Sequence, residues 1–219
     1  MLRLGIYGGS FNPVHYGHIN LARRAIEDLS LSRLLVIPAS VSPFKTEDDR
    51  SILAMDREWE LEFLKSAFAE LPEAIIDDRE LKRGGVSYAI DTVSAIAKEN
   101  PGAKLFFIIG EDSVAGLPRW KDYEKLIKLC EFKAYPRTEE SSTAIRELFA
   151  ARKVTLNPEG ETAKVVREGL LRKGGYCPCR LQKTPTNFCP CAEFRSQLAD
   201  PDFRGLCHCR LYQTGPGPT

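Results

Sequence analysis

The run Gly8-Gly9-Ser10-Phe11-Asn12-Pro13-Val14-His15-Tyr16-Gly17-His18 holds two of the chain's three histidines. A short apolar stretch, Leu4 to Tyr7, leads into it, and a helical pattern starts at once behind it. A turn between a strand and a helix offers a phosphate free backbone N–H groups and the positive end of the helix dipole. Glycines let the backbone come close to such a ligand. Two imidazoles three residues apart, split by Gly17, can both donate to phosphate oxygens and stabilise charge developing on a departing pyrophosphate. The bland alternative is a glycine turn carrying two surface histidines.

A second constellation lies at the other end. Six of the seven cysteines, Cys177, Cys179, Cys189, Cys191, Cys207 and Cys209, form three Cys-x-Cys elements with Pro178, Pro190 and His208 in the middle positions. Soft thiolates grouped in a segment with few large aliphatics suit an iron-sulfur cluster or zinc. Four ligands fill either, so two thiols are left over, and a pair beside a cluster could form a reducible disulfide. Cys130 stands apart at the end of Leu126-Ile127-Lys128-Leu129 and reads as a buried core residue.

The elements that must hold these residues follow from hydrophobic patterning. Apolar, β-branched runs at 4–7, 34–37, 74–76, 105–109 and 132–135 alternate with helical patterns at 19–29, 52–68, 88–97, 123–129 and 142–151. That alternation predicts an α/β fold with a parallel sheet covered by helices. In the first helix Ile19, Ala22, Ile26 and Leu29 mark the buried face, and Arg23, Arg24, Glu27 and Asp28 the wet one. Ser87 is the expected N-cap of the helix bearing Ile90, Val93 and Ile96. The texture changes after Leu156, where one helical stretch, 162–172, precedes a Gly-, Pro- and Cys-rich segment. So small a core calls for a staple such as a metal site. The expected organisation is a domain over 1–153, a cysteine-rich domain over 154–214 and a disordered tail over 215–219.

Charge sets limits on partners. The 31 basic and 30 acidic residues leave a net charge of +1, so no bulk field draws the chain to nucleic acid or to an anionic membrane. The chain opens without a charged leader or a long apolar run, which points to a soluble, cytoplasmic protein. In a reducing compartment clustered cysteines more often hold metal or do redox chemistry than form structural disulfides.

The histidine-bearing run resembles the HxGH signature of the nucleotidyltransferase superfamily, and the wider pattern is similar to bacterial nicotinate mononucleotide adenylyltransferase. Ser40 to Lys45 resembles that family's phosphate-side lysine segment, with Phe44 where the family often has His. The run from Glu80 to Thr92 looks like its pyridine-nucleotide segment. Phe106-Phe107-Ile108-Ile109-Gly110-Glu111-Asp112-Ser113 and Leu117-Pro118-Arg119-Trp120 are similar to its strand, ribose-binding Asp and ring-stacking Trp. Ser141-Ser142-Thr143-Ala144-Ile145-Arg146 looks like its second phosphate motif. The resemblance implies a Rossmann-like parallel-sheet nucleotidyltransferase domain that transfers the adenylyl group of ATP to nicotinate mononucleotide, with Mg²⁺ bridging the phosphates. It places Gly8, Gly9, Ser10, Phe11, Gly110, Asp112, Ser142 and Thr143 on the nucleotide, and Ser87, Tyr88 and Trp120 on the mononucleotide. His15, His18, Lys45 and Arg146 take catalytic roles. One departure from the family is the short passage, Pro136 to Glu140, before Ser141, where a connecting segment and a further strand are usual. That departure motivates one alternative, a nucleotide-binding scaffold without turnover that serves a disulfide-reducing tail; a separate alternative is transfer to another acceptor, such as phosphopantetheine or a different nucleotide.

The cysteine-rich end resembles the catalytic chain of ferredoxin:thioredoxin reductase, starting at Leu156-Asn157-Pro158, continuing through Glu168-Gly169-Leu170-Leu171 and ending at Arg210-Leu211-Tyr212. That resemblance implies a small, mainly helical iron-sulfur domain. Cys177, Cys189, Cys191 and Cys207 would bind a 4Fe-4S cluster, with zinc as the alternative. Cys179 and Cys209 would be the redox pair, His208 a proton-handling neighbour, and ferredoxin and thioredoxin-like proteins the partners.

Overall fold

A computed structural model describes residues 1–44, 57–136 and 140–215. These fold into two compact units. The first is built from residues 1–11, 17–44 and 71–136, the second from 12–16, 57–70 and 140–215.

The first unit is an α/β structure with five parallel strands: β1 (Arg3–Gly9), β2 (Arg33–Pro38), β3 (Ala74–Ile76), β4 (Lys104–Gly110) and β5 (Glu131–Tyr135). Their order is β3-β2-β1-β4-β5. Chain direction across the sheet therefore reverses between β1 and β4, which pair with Ile6 opposite Phe107. Ligands of open parallel sheets bind at that reversal, beyond the carboxyl ends of the strands. Here those ends are Gly8 and Gly9 on β1 and Gly110 on β4.

β1 and β4 read as near-continuous apolar runs because neither face is left to water. Alternate residues Leu4, Ile6, Leu105, Phe107 and Ile109 join one buried cluster with Ile90, Val93 and Ile96 of α4 (Ala89–Glu99), Leu126 of α5 (Tyr123–Leu129) and Cys130. The buried positions of α1 (Tyr16–Asp28) are Gly17, Ile19, Leu21, Ala22 and Ala25, whereas Ile26 and Leu29 are only half-covered. Gly5 is fixed by packing: a Cβ there would lie 2.5 Å from Leu31 Cδ1 and 2.6 Å from Leu34 Cδ1.

The second unit pairs helices. α2 (Arg57–Phe68) lies on α7 (Gly160–Arg172), and α6 (Ser142–Ala151) on α8 (Ala192–Ala199). A short antiparallel pair, β6 (Thr155–Leu156) with β7 (Tyr212–Gln213), ties the end of the chain to the residues just after α6. Phe149 of α6 meets Phe194 of α8 and Tyr212 edge-on, at 5.9 and 5.3 Å between centroids. On α2, Trp59 stacks on Phe63 at 4.8 Å, Arg167 of α7 lies over Trp59, and Phe63 meets Phe188. Patterning marks α2 as amphipathic without saying what covers its apolar face. The cover is α7 and the cysteine-rich segment, so the spatial units cut across a division of the sequence at 153–154. Gly215 donates its N–H to Arg152 O.

Candidate active site

On the first unit, the end of β1 is shaped by an aromatic wedge. Phe11 is a non-glycine residue in the left-handed region, with φ +45°, a conformation that costs on the order of 1 kcal/mol or more and persists only where the surroundings enforce it. Its ring meets Tyr7 edge-on at 5.3 Å and His18 at 5.0 Å. A Cβ on Gly9 would come within 3.2 Å of the same ring. The glycine therefore makes room for Phe11, and Phe11 walls one side of His18.

The strand-ends next to β1 carry the other expected nucleotide residues. Gly110 closes β4 and caps a 3-10 turn, Glu111–Arg119, that holds Asp112 exposed. Beyond β2, Ser40 to Phe44 runs beside the start of α4: Val41 bridges Val86, and Ser87 N–H donates to Val41 O at 2.8 Å. Ser87 is not the cap of α4. The cap is Tyr88, without a side-chain capping bond, and Ser87 Oγ instead accepts from Ser40 N–H at 3.0 Å, locking the two segments together. Lys121 Nζ sits 4.3 Å from the centre of the Tyr88 ring. Trp120 is fixed edge-on by Phe107 at 5.5 Å and Phe132 at 5.9 Å, and the exposed Phe44 ring lies 6.5 Å from it. Thus Ser87, Tyr88 and Trp120 lie on the flank formed by β2, α4 and the 3-10 turn. Lys45 lies outside the described residues.

Along the chain, the turn passes into the second unit at Asn12 and returns to the first at Gly17. Within the second unit its path is set by the start of α6. Ser141 caps that helix, accepting from Ala144 N–H, which leaves Ser142 for another task. Ser142 Oγ donates to Pro13 O at 3.0 Å, and Arg146 Nη1 donates to Asn12 O at 2.7 Å while Nη2 reaches Thr143 Oγ1. Arg146 is buried to 3% exposure. Its guanidinium therefore clamps the turn itself, a role that residue type and spacing do not reveal. Two consecutive carbonyls of the turn are engaged, so this backbone is preorganised. His15, 8% exposed, faces Glu140, with Nδ1 3.8 Å from Oε2. Glu140 carries no motif signal and emerges only from the fold.

The six clustered thiols also fall in the second unit, five of them buried and Cys179 exposed. Burial raises the Cys189 thiol well above its ordinary value, and the charges of Cys207, Cys191 and Cys177 raise it further. Cys191 is raised by burial and then by Cys177 and Cys207. The four expected ligands are therefore each other's electrostatic neighbours. Cys209 lies 3.5 Å, sulfur to sulfur, from Cys207. Its hydrogen bonds to Cys177 and Cys207, and then burial, raise its thiol, while the same bonds lower Cys177 and Cys207. His208 is exposed. Among the described residues, no group of three or more His, Cys, Asp or Glu side chains is arranged to hold a metal ion. Nor, among them, is any helix long and apolar enough to cross a membrane. Cys130 is pushed up to about 12 by burial, which makes it a poor nucleophile, in keeping with a core role.

A glycine turn at the reversal point of an open parallel sheet lies where such folds bind their ligands. Residues 6–166 match the Cytidylyltransferase-like family, and the chain belongs to it. Among its relatives, a Gemmatimonas aurantiaca protein described as a probable nicotinate-nucleotide adenylyltransferase is 33% identical over 185 residues, covering 79% of this chain and 85% of the relative. A Methylacidiphilum infernorum protein with the same description is 42% identical over 130 residues, 59% of this chain. The chain spans 62% of that relative's length. The crystal structure of a nicotinate-nucleotide adenylyltransferase candidate from Vibrio parahaemolyticus shares the fold, with a TM-score of 0.53 at 21% identity, covering 67% of this chain and 86% of that one.

Proposed function

We propose that the chain transfers the adenylyl group of ATP to nicotinate mononucleotide, giving deamido-NAD and pyrophosphate. The observation that carries this reading is the glycine turn at the end of β1, whose Asn12 and Pro13 carbonyls are clamped by Arg146 and Ser142. The same description borne by the Gemmatimonas and Methylacidiphilum relatives supports it. A phosphate oxygen of the mononucleotide attacks the α-phosphorus of ATP. The new O–P bond forms as the bond to the β-phosphate oxygen breaks, and the electron pair leaves with pyrophosphate. No side chain need act as a nucleophile. His15 and His18 neutralise the departing charge, Gly8 to Phe11 and Gly110 to Asp112 cradle the nucleotide, and Trp120 offers its face to the pyridine ring. Mg²⁺ bound with ATP would supply positive charge against the phosphates, and Lys45 would lie on the phosphate side.

An acceptor panel tests this. Pyrophosphate release with nicotinate mononucleotide should exceed that with nicotinamide mononucleotide or phosphopantetheine, and Trp120→Ala should raise its KM about tenfold, the worth of one lost aromatic stack. Intact ATP binding without pyrophosphate release, whichever acceptor is offered, would replace this reading with a nucleotide-binding scaffold.

For the thiol cluster we propose the redox role that its resemblance implies. Cys177, Cys189, Cys191 and Cys207 would hold a 4Fe-4S cluster, a one-electron carrier fed by a ferredoxin, and Cys179 with Cys209 would be the dithiol presented to a thioredoxin-like protein. What supports this is that folding gathers the three Cys-x-Cys elements in one unit, with five of the six thiols buried and Cys207 3.5 Å from Cys209. Anaerobically purified protein should contain iron and sulfide in equal amounts, about four of each per chain for a cubane cluster. Colourless protein with zinc, or with no metal, would overturn this role.

A further inference from the structure

We infer that Arg195, in the cysteine-rich end of the chain, is a positioning residue for His15 and acts through Glu140. The two oxygens of the Glu140 carboxylate are divided between these partners: Oε1 accepts from Arg195 Nη2 at 2.6 Å, and Oε2 lies 3.8 Å from His15 Nδ1. The first contact is a short, charge-assisted hydrogen bond. The second is at ion-pair distance, longer than a hydrogen bond. All three are largely shielded, with side-chain exposures of 10, 20 and 21% for His15, Glu140 and Arg195. A carboxylate pinned through one oxygen cannot rotate freely, so its other oxygen is kept beside the Nδ1 edge of the imidazole, 3.8 Å away. In the proposed reaction Nε2, on the opposite edge of the ring, is the nitrogen used.

Both ends of the relay rest on packed helices. Glu140 directly precedes Ser141, the cap of α6. Arg195 lies on the first turn of α8, and its N–H donates to the carbonyl of Cys191, the cap of that helix. Phe194 and Leu198 anchor α8 at 1% exposure each, with Phe194 set against Phe149 of α6. The thiol-bearing segment thus supplies part of the support for a residue of the histidine turn.

The inference rests on the reading that His15 acts on the phosphates of ATP, and the test separates the two. In the full chain, Arg195→Met and Glu140→Gln should each lower kcat for pyrophosphate release by on the order of ten- to a hundredfold, with KM for ATP changed by less than about twofold. Arg195→Lys should restore most of the loss, because it keeps the charge. In a His15→Ala background Arg195→Met should have no further effect on kcat. Unchanged kcat in Arg195→Met, or the same fall with and without His15, would overturn the inference. Should the wild-type chain release no pyrophosphate, the functional reading fails by itself, and nitrogen-15 spectra of the imidazoles decide the positioning role. There the His15 signals should shift in both Arg195→Met and Glu140→Gln while those of His208 stay; unmoved His15 signals would refute it.

Discussion

Replacing His15 and His18 together by alanine should lower pyrophosphate release from ATP by about a thousandfold or more, while the chain remains folded. The magnitude follows from the cost of deleting a preorganised donor to developing charge, on the order of a hundred- to a thousandfold for one such group. Both rings are held in place. His18 stands against Phe11, which is itself wedged over Gly9. His15 is 8% exposed and faces Glu140. Because in the proposed reaction these donors would act on charge that appears only as the α–β bond breaks, the loss should fall on kcat far more than on KM for ATP. Circular dichroism and a melting curve on the same samples guard against a folding defect. Turnover within tenfold of wild type would remove both imidazoles from the reaction.

The largest expected effect on stability is at Gly175. This residue ends α7 together with Gly174: Gly175 N–H donates to Leu170 O and Gly174 N–H to Leu171 O, the paired bonds of a helix stop that needs left-handed backbone. Gly175 has φ +88°, and a Cβ there would fall 2.6 Å from Phe188 Cζ and 3.4 Å from Phe63 Cε2. Both rings are buried, Phe188 at 2%. Gly175→Val combines a β-branched residue at positive φ with overpacking, together about 3 kcal/mol or more. Since Gly175 O also accepts from Cys189 N–H, the strain reaches the backbone of the thiol cluster. Urea denaturation should show the midpoint falling with little change in slope. A shift worth less than about 0.5 kcal/mol, the size of an ordinary surface substitution, would contradict the packing described.

The parallel sheet was legible because its strands are covered on both faces and therefore read as unbroken apolar runs, Leu4 to Tyr7 and Leu105 to Ile109 among them. The histidine turn stands out in the sequence because it gathers two of the chain's three histidines behind a Gly-Gly pair. Elements with few anchors were not. α8 offers only Phe194 and Leu198 as buried residues, the helical turn Arg79–Arg83 only Glu80, and β6 and β7 are two residues each. The 3-10 turn after β4 contains Gly116 and Pro118, which hide any helical period. The assignment of Ser87 as a cap was incorrect because its hydroxyl serves a tertiary bond to Ser40 instead. Such bonds carry no local signature, and the same holds for Glu140 and Arg195, 55 positions apart and joined only by folding.

In the proposed reaction the bond broken is the one joining the α- and β-phosphates of ATP, so the fate of the α-phosphorus is the decisive readout. With ATP labelled at that atom and nicotinate mononucleotide as acceptor, the label should pass into deamido-NAD in step with unlabelled pyrophosphate. Label retained in ADP beside free inorganic phosphate, or released as AMP with the mononucleotide unchanged, would contradict it.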